Sequence, residues 1–269
     1  FVVAEIYEHQ GRLLEAEVLA KKVLRFTEAK FGNSHEHIAE AANLLADINW
    51  GQKRFSEAVA LYKRALQIIN KSVIIYKKKA SYAEAEPLLK RALAIRKKVL
   101  GPEHPDTALS LNNLSLLYQA WGRYAAAEPL LKRALAIREK QLGPEHQDTA
   151  ISLNNLALNY KKQSRYAEAE RLYKRALAID EKTLGPKHPS TSVPLGNLAE
   201  LYRSLGRYGE AAELNERALH ISKDSLGPEH PNTAISYNNL AMLYTAQGRY
   251  PEAELFYKHT LLINEKTLG

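Results

Sequence analysis

The sequence predicts an all-α fold: a right-handed superhelical solenoid of antiparallel helix pairs. Three observations lead there. A block recurs at a fixed spacing, apolar residues inside the block follow a helical period, and glycine and proline punctuate it at the same points each time. The loop LGPEHP stands at 100–105, returns as LGPEHQ at 142–147 and LGPKHP at 184–189, and again as LGPEHP at 226–231, a step of 42 residues. Periods of this length mark repeat architectures, in which one unit cannot bury its apolar face alone and stacked units can.

Within 150–163, Leu153, Leu156, Ala157 and Tyr160 fall at i, i+3, i+4 and i+7, the apolar stripe of an amphipathic helix. A second stripe follows in Ala169, Leu172, Tyr173, Ala176, Leu177 and Ile179. The Gly-Arg or Ser-Arg between the two leaves room only for a tight turn, so the helices run antiparallel. The second helix stops at Leu-Gly-Pro, where glycine can cap and proline cannot extend. Asp106, Asp148, Ser190 and Asn232, each followed by Thr, are the expected acceptors at the next helix start. Ala157, Ala169 and Ala176 are small enough to let helices approach closely, while Leu156, Tyr160 and Tyr173 fill the space between units.

Carried along the chain, the pattern gives one repeat domain over 1–269 with about seven units, whose second helices begin near Leu13, Phe55, Tyr82, Tyr124, Tyr166, Tyr208 and Tyr250. One step is short. Phe55 to Tyr82 spans 27 residues rather than 42, a deficit of 15 between Ile69 and Ile74, yet IIYKKKASY at 74–82 aligns with LNYKKQSRY at 158–166. A segment missing from the chain as given is therefore expected there rather than a true deletion, with a break between neighbouring α-carbons wider than the ~3.8 Å of a trans peptide. Starting inside a first helix and stopping after a second, the chain is expected to be a fragment of a longer protein.

Composition narrows the function classes. Without cysteine there are no disulfides, thiolate metal sites or cysteine nucleophiles, and a cytoplasmic location is the default expectation. No apolar run approaches the ~20 residues of a membrane span. Lys+Arg 38 against Asp+Glu 30 gives +8, concentrated in 71–98. Phosphate loops, dinucleotide fingerprints, HExxH and GxSxG elbows are all absent from the sequence, so no enzyme and no cofactor is expected. His104, His146, His188 and His230 recur one per loop, and each superhelical step carries the next one away, so they are expected to be structural and no metal site is predicted.

Leu153, Leu156, Ala157 and Tyr160, with Ala169, Tyr173 and Ala176, form L-x2-L-A-x2-Y followed by A-x3-Y/F-x2-A, which resembles the tetratricopeptide repeat. The common form has about 34 residues. The longer unit here, with its excess in the GPEHPDT loop and the phrase AEPLLKRALAIREKQLGPEHQDTA at 127–150, is similar to the variant found in kinesin light chains. That resemblance covers essentially the whole chain and implies a protein–protein interaction scaffold whose concave groove, lined by first helices, holds an extended peptide.

Asparagine is the informative polar residue, because mid-helix it costs several tenths of a kcal/mol against alanine. By the resemblance, Asn113, Asn155, Asn197 and Asn239 form a groove-facing ladder, flanked by Asn112, Asn154 and Asn238. One alternative is that these asparagines hydrogen-bond between helices and fix the stacking. Positions three or four apart share a helix face, which adds Lys77, Lys78, Lys161, Lys162 and Arg203 to the groove, with Glu200 the main opposing charge. The partner is accordingly expected to be an acidic protein or peptide segment. The alternatives are a repeat binding RNA or single-stranded nucleic acid, which the lack of an aromatic row in the groove disfavours, or a regulatory region attached to a catalytic domain elsewhere.

Overall fold

A computed structural model of the chain describes residues 2–31, 35–78 and 82–268, with side chains at all of these except 36, 71–78 and 267–268. Among the described residues it has thirteen α-helices, one short 3-10 turn and no strand. The fold is the all-α array of antiparallel helix pairs that the repeats predict. It forms two compact units, residues 1–121 and 122–269. The first holds α1 (Val2–His9), α2 (Leu13–Phe31), α3 (Glu36–Gly51), α4 (Phe55–Lys78), α5 (Tyr82–Leu100) and α6 (Pro105–Ala120). The second holds α7 (Tyr124–Gln141), α8 (Gln147–Lys162), α9 (Tyr166–Leu184), α10 (Ser192–Ser204), α11 (Tyr208–Leu226), α12 (Pro231–Ala246) and α13 (Tyr250–Leu268), with the 3-10 turn Pro189–Thr191 before α10.

Across the 15-residue deficit, α4 spans Phe55–Lys78, and no Gly-Pro stop lies within it to end the helix. One expectation is corrected, and it concerns the loops. The capping residues are the histidines, two positions before the expected acceptors: His104, His146, His188 and His230 each accept, through Nδ1, the backbone N–H of Asp106, Asp148, Ser190 and Asn232 at 3.1–3.2 Å. Histidine fills this role because the residues after it already lie in the first helical turn, Pro105 and Pro231 among them. The following threonine closes each loop on the glycine, as Thr149 Oγ1 donates to the Gly143 carbonyl at 2.8 Å. That glycine is required. Gly185 and Gly227 hold φ near +99° and +94° with ψ of 151° and 159°, a region open essentially only to glycine.

In the second unit the core is a series of clusters with one plan. Leu153 and Ala150 of α8 meet Ala176 and Ile179 of α9, and Leu135 of the preceding α7 packs onto them. Leu195 of α10 with Ala218 and Ile221 of α11 receives Leu177 of α9, and Ala234, Tyr237 and Ile263 of α12 and α13 receive Leu219 of α11. Each helix pair therefore completes its core with a leucine from the helix before it. Fully burying such a side chain is worth ~1.5–3 kcal/mol, so no pair is independent of its neighbour.

The arginine of each inter-helix turn has a structural job. Arg165 lies 4.0 Å from the Tyr160 ring centroid, pairs with Glu168 at 2.5 Å, and reaches back to Glu128 of α7 at 2.8 Å. Arg207 repeats this on Tyr202, Glu210 and Glu170. In the first unit Arg54 of the α3–α4 turn reaches Glu17 of α2 at 2.7 Å, and Lys21 reaches the same carboxylate at 2.6 Å. Hydrogen bonds from Arg54, then Lys21, hold the Glu17 carboxyl down to about 2, although its partial burial opposes this.

Two outcomes follow. Ala157 and Ala169 are fully buried, so Ala157→Leu overpacks the α8–α9 contact and lowers stability by about 1–3 kcal/mol in urea melts. Glu17→Gln lowers stability by about 1–2 kcal/mol at neutral pH. Because the folded pKa of Glu17 lies below its ordinary 4.5, the unfolded chain takes up the proton first on acidification. The stability gap between parent and variant is full above that value and closes as pH falls toward about 2, as paired melts across that range should record.

Candidate functional site

First helices α8, α10 and α12 lie side by side, with α10 touching both of the others. Asn155, Asn197 and Asn239 stand half-buried on this face, one per helix, and Asn113 is half-buried on α6 of the first unit. Their neighbours differ. Asn112 is buried, 5% exposed, and so is a packing residue, whereas Asn154 and Asn238 are half-buried. Asn238 directs its amide to the Met242 sulfur at 3.4 Å.

The cations also separate. Lys161 is buried, its Nζ 2.5 Å from Glu200 Oε1, and burial pushes its pKa down against the pull of that partner. An ammonium already paired across the α8–α10 step supports the stack and is not free to steer a ligand. Lys162 is exposed and Arg203 half-buried, and among the described residues neither has an ion-pair partner. The side chains of Lys77 and Lys78 lie outside the described residues.

Two adjoining clefts open between α10 and α12. One, about 240 Å³, is lined by Ser192, Val193, Asn197, Glu200, Ile235 and Asn239, among others. The second, about 190 Å³, is lined by Gly196, Ala199, Glu200 and Arg203 on α10 and Asn239 and Met242 on α12, with the buried Asn215 of α11 beneath. Together they offer amide donors and acceptors, a guanidinium, the carboxylate of Glu200 and short apolar walls, which suits an extended chain with polar side chains. Among the described residues no group of three His, Asp or Glu side chains is placed to hold a metal, and no helix is long and apolar enough to cross a membrane.

Comparison with known proteins agrees with this architecture. The family model for the tetratricopeptide repeat matches residues 2–71, 69–140, 122–182, 148–224 and 195–266. The chain belongs to the tetratricopeptide repeat family. Two crystal structures of a putative kinesin light chain with nearly identical TPR-like repeats, from Podosopora anserina, are 33% and 34% identical to it, covering 76% and 75% of this chain and 96% of theirs, with TM-scores of 0.63 and 0.61. BtubC (BKLC) from P. vanneervenii shares the fold at 22% identity, covering 96% of this chain and 92% of that one, with a TM-score of 0.60. No curated protein matches the sequence. Tetratricopeptide repeats generally serve as protein–protein interaction scaffolds, and the relatives of this one are of the kinesin-light-chain-like type.

Sequence reasoning missed Asn215. Aligned on the repeat, it stands where α9 has Tyr173 and α7 has Leu131, both essentially buried. Asn215 is only 3% exposed, and its Oδ1 is buried without a hydrogen-bond partner. The signal was a small polar residue where the units on either side carry Tyr173 and Tyr257. Replacing a lone buried acceptor by an apolar side chain removes a desolvation cost of ~1–3 kcal/mol. Asn215→Leu, which restores the residue type of Leu131, should therefore raise stability by about 1–2 kcal/mol in chemical denaturation.

Proposed function

We propose that this repeat array is a scaffold that binds an extended, acidic peptide segment of a protein partner along the face formed by its first helices, rather than a catalyst. The observation that carries this reading is the pair of clefts between α10 and α12, lined by Asn197, Asn239 and Arg203, with the Glu200 carboxylate that borders both clefts neutralised by Lys161. A peptide backbone exposes one donor and one acceptor per residue, and a carboxamide answers both. Arg203 supplies the positive charge, since Lys161 has Glu200 as its partner. Lys162, exposed on α8, extends the cationic edge and speeds encounter with an acidic segment.

Nucleic acid is the weaker alternative. Single-strand binders present aromatic faces for bases to stack on. Tyr160 and Tyr202 are instead buried beneath Arg165 and Arg207, which leaves no stacking platform at those positions.

The test is a charge reversal at Arg203 and Lys162 combined with Asn239→Ala, titrated with acidic peptides selected on the parent protein. Loss of a cation and an amide contact of about 1.4 kcal/mol together corresponds to a tenfold weaker dissociation constant, and the parent's affinity should fall as salt rises. Unchanged binding by the folded triple variant would move the site off this face.

A further inference from the structure

The two steps between first helices in the second unit are built differently. Between α8 and α10 the space above α9 is filled by Tyr173, 1% exposed, and closed by the Lys161–Glu200 ion pair. Between α10 and α12 the equivalent positions carry Asn215, Arg203 and Met242, so the large ring and the carboxylate partner are both gone. Gly196 adds to the opening, because it stands where Asn112, Asn154 and Asn238 stand in the other units. A Cβ at Gly196 would lie 3.0 Å from Asn239 Nδ2, so the glycine also lets that amide sit close. Asn215 and Gly196, the departures from the repeat, border one cleft of about 190 Å³ together with Glu200, Arg203 and Met242, the last an apolar residue of the kind that Leu116 and Leu158 supply in earlier units.

We infer that this cleft is a specificity pocket for a single carboxamide side chain, a glutamine of the bound segment reaching down between α10 and α12. The inference rests on the peptide-binding reading above and adds what one position of the peptide must be. The buried acceptor Asn215 Oδ1 lacks a donor, Glu200, paired with Lys161, adds a second acceptor to the lining, and Asn239 and Arg203 offer donors. An occupant must therefore both donate and accept through different atoms, which a carboxamide does and a carboxylate, an ammonium or an alkyl group does not. Ala199 and Met242 provide apolar walls for the methylenes of a glutamine stem. At this size the cleft lies below the ~300 Å³ of sites for small organic ligands, and it holds one side chain. A site built to hydrogen-bond its occupant also rejects analogues lacking those groups, which gives selectivity rather than mere affinity.

The experiment has two arms on the full chain. In the first, N-acetylglutamine amide is titrated while the side-chain amide resonances of Asn215 and Asn239 are followed by NMR, assigned with Asn215→Leu and Asn239→Ala. N-acetyl amides of glutamate, tyrosine and norleucine serve as comparisons. The glutamine probe should shift both resonances at concentrations several-fold lower than the others, and Asn215→Leu should abolish the response. Equal shifts with any comparison probe, or none with glutamine, would overturn the inference. In the second arm, acidic octapeptides carrying glutamine or alanine at each position are measured against the parent, Asn215→Leu and Gly196→Asn. One position should prefer glutamine by about tenfold, the worth of one well-satisfied buried hydrogen bond, and both variants should erase that preference while still binding. Asn215→Leu restores a residue type the fold already uses at Leu131, so a folded variant is available even if Gly196→Asn is not. Peptides that bind with no glutamine preference overturn the pocket and leave the groove. A glutamine probe that shifts Asn215 while no peptide binds overturns the groove and leaves the pocket.

Discussion

The close approach of helices at alanine is the constraint on which everything else in this protein depends. Ala157, Ala169 and Ala176 have no solvent exposure, and a packed interior tolerates neither an added methylene nor a void there. Because the helices meet so closely, the remaining volume at each step is set by very few side chains: a leucine sent across from the previous helix, such as Leu135 or Leu177, and one large residue in mid-helix, such as Tyr173. When that large residue is a Tyr or Leu the step closes. With Asn215 in its place it does not, since the alanines fix the backbones and the neighbouring helices cannot collapse into the gap without overpacking elsewhere. The same constraint that closes the α8–α10 step thus leaves the cleft at α10 and α12 open.

Electrostatics follow from that packing. The chain carries many more charges than its binding face has available, because much of the charge is spent within the stack. Glu128 and Glu170 each gather a lysine on their own helix and an arginine from a later turn, and Lys161 and Glu200 neutralise one another. Exposed pairs of this kind contribute little individually. At the Arg165 and Arg207 turns, where the arginine also lies on a tyrosine ring, they fix how the turn meets the helix before it. In the proposed groove it is Arg203 and Lys162, rather than the overall charge of +8, that would meet an acidic segment.

The elements most legible in the sequence were those dictated by local chemistry. Apolar period and Gly-Arg turns placed the helix pairs, and Gly-Pro placed the stops, because these depend on backbone geometry that a few neighbouring residues decide. Less legible were roles decided across the repeat. Lys161 carries the spacing of a groove residue, but its ammonium meets Glu200 some forty positions later, which no local pattern encodes. His104 and its counterparts were legible as structural yet not as caps, since asparagine and aspartate are the commoner acceptors and stood two positions away. At the seam of Ile69–Ile74 a repeat frame records where units begin and not how the chain passes between them; nothing in QIINKSVIIYKK stops a helix, and α4 continues through it.

A repeat array offers its own standard for telling structural residues from functional ones. Positions that every unit needs for stacking carry the same residue type in unit after unit, as Ala127, Ala169, Ala211 and Ala253 do. A departure with no bearing on function has no reason to fall beside another. Gly196 on a first helix and Asn215 on the second helix that follows are separated in sequence by 19 residues, yet both border one cleft. Asn215 is moreover unfavourable where it stands, leaving an acceptor buried and unpaired in a position where the neighbouring units place Leu131, Tyr173 and Tyr257. A stability cost borne where two departures meet is what the proposed pocket requires: the unit gives up part of its own packing so that a partner's side chain can complete it.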